Sequence, residues 1–158
     1  MPMKKLSQLI YFPAIWIILV TASGCASVSK ATEEKNEAAK TYLTPDGKGS
    51  VFVYRTGRAV GAAGQLSVKV NGIDAGGTGP GTFFRWDLLP GTYTFLSSTQ
   101  ESSATVQIEV KVGEVYFIRQ DARMGIESGR VTMKQVDSDK GMSEVGNCKL
   151  LVSSYVPE

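Results

Sequence analysis

Ala104-Thr105-Val106-Gln107-Ile108-Glu109-Val110-Lys111-Val112 alternates apolar and polar residues without a break. A period of two puts Val106, Ile108, Val110 and Val112 on one face and Thr105, Gln107, Glu109 and Lys111 on the other. An amphipathic helix would need apolar residues at i, i+3, i+4 and i+7 instead. The stretch therefore reads as a half-buried strand, and the surrounding sequence repeats its pattern. Upstream, Gln65–Val70 alternates with Leu66, Val68 and Val70 inward, and Asn71-Gly72 supplies a type I′ hairpin turn. Phe83–Leu88 is a strand, Pro90-Gly91 a turn, and Thr92–Ser97 another strand. Val51-Phe52-Val53-Tyr54 is rich in β-formers. Downstream, Gly113-Glu114 leads into Val115–Gln120, and Gly129 precedes Arg130–Val136.

The expected fold is mainly β, a small antiparallel β-sandwich or barrel of about seven strands with one short C-terminal helix. That helix is Ser138–Gly146, with Met142 and Val145 three apart and Gly146 placed as a C-cap. Gly141 weakens it. Lys149–Ser153 is a candidate last strand.

Of the 158 residues, 20% are charged and 42% hydrophobic, a globular composition. With Lys4 and Lys5 of the first 24 residues set aside, 15 basic and 15 acidic residues remain. That balance lacks the basic excess a phosphate backbone demands, so no nucleic-acid partner is expected. Histidine is absent, which removes the commonest general base near neutral pH and the commonest metal ligand. No cofactor is expected.

The N-terminus is organised differently. Lys4 and Lys5 form a positive n-region, Leu9–Val20 an apolar stretch about the length of an h-region, and Thr21-Ala22-Ser23-Gly24 a run of small residues before Cys25. A spanning helix needs roughly 20 apolar residues. Ala22-Ser23-Gly24-Cys25 resembles the lipobox of bacterial lipoproteins, with Ala22 where that family usually has leucine. The resemblance implies a diacylglyceryl group on the Cys25 thiol, cleavage before Cys25, and anchoring in a membrane. Ordinary secretory cleavage and an uncleaved anchor are the alternatives. Ala26, where an aspartate would mark inner-membrane retention, points to the outer membrane.

The expected division is therefore a signal peptide over 1–24, a lipidated cysteine and polar tether over 25–49, and a β-rich domain over 50–158. Ala31–Lys40 has good helix formers but no wide apolar stripe, so a flexible tether ending at Pro45-Asp46-Gly47 is expected rather than a docked helix. The body also resembles a bacterial lipoprotein family built on a domain of unknown function. Val53-Tyr54-Arg55, Val70-Asn71-Gly72, Leu89-Pro90-Gly91-Thr92-Tyr93 and the run Val112–Arg119 carry that resemblance, which brings no established activity.

Candidate sites are few. Gly76–Gly81 lacks the helix that a phosphate loop needs behind its glycines and reads as a hairpin loop, and Arg58–Gly64 as another. Asp137-Ser138-Asp139 fits a helix cap better than a calcium loop. Cys148 reads as a small buried hydrophobe with no histidine to activate it. Tyr54, Arg55, Trp86, Tyr116 and Arg119 are candidate ligand contacts, against the alternative of core aromatics with rim arginines. The expected role is a non-catalytic binding or assembly module with an envelope-protein partner. A glycan-binding module for peptidoglycan or lipopolysaccharide sugars is the first alternative, favoured by exposed coplanar aromatics. A hydrolytic enzyme is the second.

Overall fold

The alternation found in the sequence builds two stacked sheets. The computed structural model describes residues 29–57, 64–126 and 129–158; the expected signal segment, Cys25 and most of the expected Arg58–Gly64 loop lie outside them. The elements are α1 (Glu33–Ala39), β1 (Gly49–Arg55), β2 (Leu66–Val70), β3 (Ile73–Thr78), β4 (Thr82–Leu88), β5 (Gly91–Ser98), β6 (Ser103–Val110), β7 (Val115–Arg123), β8 (Arg130–Val136), α2 (Ser138–Val145) and β9 (Lys149–Leu150). One sheet has the order β8-β7-β1-β4-β9, the other β3-β2-β5-β6. The result is a sandwich rather than a barrel.

Between the sheets lie Val51, Val53, Phe84, Trp86, Leu88 and Ile118 from the first, and Val68, Val70, Phe95, Ile108 and Val110 from the second. Each such side chain contributes roughly 1.5–3 kcal/mol by leaving water. Strand β1 is buried along its whole length because both of its faces are covered. Phe52 and Tyr54 point away from the sandwich interior into a second core with Phe83, Phe117, Val145 and Cys148.

Several expectations need correction. The five-stranded sheet is mixed, not antiparallel, since β1 runs parallel to β7 and β4 parallel to β9. There are nine strands among the described residues, against about seven expected. The extra pairing comes largely from β3, which occupies the first half of the glycine run read as a loop. Gly76 adopts φ 112 where the β2–β3 register shifts, leaving Ala75 as the extra residue of a bulge. Val112 is 57% exposed because the strand ends at Val110 and the chain turns. Ile108 and Val110 do face inward. Asn71 and Gly72 both have positive φ, as a type I′ turn requires.

The expected tether is not free over Ala31–Lys40. Thr32 caps α1 by accepting from Lys35 N–H, and Asn36 and Ala39 are buried. The Asn36 carboxamide accepts from Leu150 N–H at 2.9 Å and Arg85 Nη1 donates to Ala39 O at 2.9 Å, so polar contacts stand in for the missing apolar stripe. Tyr42 then packs its ring 5.5 Å from Phe52 and 5.8 Å from Phe117. Helix α2 starts as expected, with the Asp137 carboxylate accepting from Lys140 N–H at 2.9 Å. Gly146 stands at its C-cap in a right-handed conformation.

Candidate functional site

The outer face of the five-stranded sheet brings chemistry together where β1 and β7 end. Parallel pairing sets Tyr54 directly beside Arg119. Helix α2 crosses that face with Gly141 against the Phe117 ring, close enough that its Glu144 reaches both residues. The Tyr54 hydroxyl donates to Glu144 Oε2, and Arg119 Nη1 donates to Glu144 Oε1 at 2.8 Å. Arg119 Nε donates to Asp121 Oδ1 at 2.9 Å. One guanidinium thus joins two carboxylates, which share a cation rather than a proton. Burial, reinforced by the neighbouring Glu144 carboxylate, raises the Tyr54 phenol well above the usual tyrosine range.

Cys148 closes the cluster. It is 1% exposed, and its thiol lies 3.3 Å from Glu144 O and 3.6 Å from Arg55 O, placed to donate to those carbonyls. Burial pushes this thiol up to about 11. Beside the cluster opens a cleft of about 530 Å³ lined by Thr56, Gly57, Arg119, Ser143, Glu144, Asn147 and Cys148. Its hydroxyls and carboxamide can hydrogen-bond a ligand. The ionic groups at its floor are already bonded to one another, and the thiol is held protonated. Among the described residues no group of three or more Cys, Asp or Glu is arranged to hold a metal.

The five residues singled out from the sequence do not form one surface. Tyr54 and Arg119 meet at the cleft. Arg55, one residue on, points to the opposite side of the sheet, is fully buried, and donates from Nη1 to Gly64 O at 2.8 Å. Trp86 lies between the sheets at 3% exposure, stacked on Phe84 at 5.3 Å, with its indole N–H donating to Ser153 Oγ at 3.0 Å. Tyr116 sits at the other end of β7, its hydroxyl accepting from Lys111 N–H at 3.1 Å. Exposed coplanar aromatics, the feature that would favour glycan stacking, are not formed by Tyr54 and Trp86, since both are buried and on opposite faces of one sheet.

Sequence reading missed Glu144, Asp121 and the rim residues Ser143 and Asn147. A signal existed. Gly141, Glu144 and Cys148, at i, i+3 and i+7, mark one face of α2 and its exit, and a glycine on that face permits close approach to a sheet.

The comparisons fit this picture without adding an activity. A family described as a protein of unknown function, DUF2846, matches residues 45–133. That span covers β1 to the middle of β8 and more than half of the chain. An uncharacterized protein of Haemophilus influenzae (strain Rd) is 25% identical over 137 residues, which cover 86% of this chain and 81% of that protein.

Proposed function

Starting from a chain that belongs to the DUF2846 family, a family described only as of unknown function, we propose an exported lipoprotein, anchored through Cys25, that serves the cell envelope as a non-catalytic binding or assembly module. The carrying observation is the saturation of the cleft's own ionic groups. Tyr54, Arg119, Asp121 and Glu144 are bonded to each other, and Cys148 is buried and protonated. Acid–base or nucleophilic work needs a group with a free proton site or an activated nucleophile. A rim of Thr56, Ser143 and Asn147 over a rigid floor suits recognition instead.

The anchor is supported by the order of Lys4-Lys5, Leu9–Val20, Ala22-Ser23-Gly24 and Cys25. Ala26 favours the outer membrane, and the partner is an envelope protein. Cells producing the full chain and fed labelled palmitate should yield a labelled product that partitions into detergent. Cys25→Ala should abolish the label and leave a soluble or unprocessed protein. Unlabelled wild-type protein in the aqueous phase overturns the anchor. The binding role is tested by crosslinking intact envelopes and recovering the protein with its neighbours. One envelope protein should be lost when Ser143→Ala and Asn147→Ala are combined. Recovery unchanged by those substitutions removes the cleft from recognition.

A further inference from the structure

Ser29–Ala31, just after the anchor cysteine in sequence, pair with the C-terminal segment of the sheet, and their direction points the chain before them toward one end of the sandwich. Ala31 N–H donates to Leu150 O at 2.9 Å, Val152 N–H donates to Ser29 O at 2.8 Å, and Lys30 sits opposite Leu151 in an antiparallel bridge. The C-terminal segment is itself fixed to β4, since Lys149 and Leu150 pair in parallel with Thr82 and Phe83. Residues 150 to 154 therefore run toward Leu88, and the chain read backward from Ala31 to Ser29 heads the same way. Ser29 lies level with Arg85, three residues short of Leu88, or about 10 Å along a strand. Cys25 lies four residues before Ser29, a covalent reach of at most ~14 Å. The anchor atom can reach the Leu88 end of the sandwich, toward which the chain is already running; the end of β1, opposite Thr82, is as far from Arg85 along β4, and the chain would have to reverse within four residues to reach it.

The Leu88 end carries the β2–β3, β4–β5 and β6–β7 turns. Each of the three shows water an apolar side chain: Ile73 at 57% exposure, Leu89 at 48% and Val112 at 57%. A lone exposed apolar residue is ordinary. Three on the three turns of the end toward which the anchor segment runs have a common explanation. We infer that this end rests on the lipid bilayer that receives the Cys25 anchor, with Ile73, Leu89 and Val112 dipping into the headgroup boundary. The inference rests on the lipoprotein reading above. Its geometry has a functional corollary: the candidate cleft, opening past Tyr54 and Arg119 at the opposite end of the seven-residue β1, faces away from the membrane by about 20 Å. Met124 and Ile126 are as exposed, at 79% and 90%, but follow β7 at that far end and serve as the built-in control.

The experiment uses the full chain, produced with its leader so that Cys25 is processed in the cell. Ile73→Cys, Leu89→Cys, Val112→Cys and Ile126→Cys are each labelled with a polarity-sensitive fluorophore; Cys148 is buried and does not compete. The proteins are reconstituted into phosphatidylethanolamine–phosphatidylglycerol vesicles containing brominated acyl chains. Quenching should be several-fold stronger at positions 73, 89 and 112 than at 126. Equal quenching at the two ends, or stronger quenching at 126, overturns the orientation. The mass of the N-terminal peptide from the same samples separates the two claims. An acylated protein with uniform quenching overturns the orientation alone, whereas an unacylated one overturns both.

Discussion

Cys148 shows how position decides chemistry for a single side chain. Its neighbour Lys149 is half exposed and pairs with Glu33 at 2.8 Å, yet the thiol sits under Glu144 and Arg55 with almost no surface. With its pKa pushed up to about 11, roughly one thiol in a thousand is ionised at pH 8. Native protein should therefore react with iodoacetamide about a hundredfold more slowly than protein unfolded in urea, measured by mass spectrometry at that pH. Equal rates would mean that the thiol reaches solvent. The same shift bears on stability. The folded thiol holds its proton more tightly than the unfolded one, which titrates from the ordinary value of 9.0. The contribution is intact below pH 9 and is lost as pH rises through 11. The raised Tyr54 phenol adds loss of the same sign once pH passes the ordinary tyrosine value of 10.0. Urea melts at increasing pH should show falling stability, with a shallower fall in Cys148→Ala.

Helix α2 shows what an element gains from a residue that disfavours it. Alanine is a better helix former than glycine by about 1 kcal/mol. At Gly141, however, a Cβ would lie 2.1 Å from Phe117 Cγ and 2.5 Å from Phe117 Cβ, atoms of a side chain whose ring is also held by stacking on Phe52 and by the edge of Tyr42. Gly141→Ala should destabilise the protein by about 2 kcal/mol or more despite the propensity gain, read as a lower urea midpoint with unchanged slope. A stabilised variant would show that α2 lies further from the sheet. The glycine looked like a weakness in the sequence because propensity is local and the close approach is not. The same contrast runs through the molecule. The faces of β2 and β6 were legible because a period of two is written into neighbouring residues. The Tyr54–Glu144 contact spans 90 positions and depends on the parallel β1–β7 register, which no local pattern encodes. Docking of α1 was illegible because it rests on polar contacts, Asn36 with Leu150 and Arg85 with Ala39 O, and on the small Ala39, and not on an apolar stripe.

On the scale of the whole molecule, the domain begins earlier than its β pattern does. A chain starting at Pro45 keeps every strand but loses α1, the Ala39 and Tyr42 packing, and the Ser29–Ala31 pairing with the C-terminal segment. Burying two such side chains is worth about 3 kcal/mol. The shortened chain should still give a β-type circular dichroism spectrum and should melt about 10 °C below one starting at Ser29. Equal melting temperatures would show that the helix contributes nothing to stability. The Ser29–Val152 pairing also sets a clock. The two sides of that pairing are made 123 residues apart, and at a synthesis rate of about 5–20 residues per second they are separated by roughly 6–25 seconds. Strand β1 likewise waits for β7 before both of its edges are satisfied. The nascent chain thus holds the central strand of its larger sheet with one edge unpaired until β7 has been made, three-quarters of the way along the sequence.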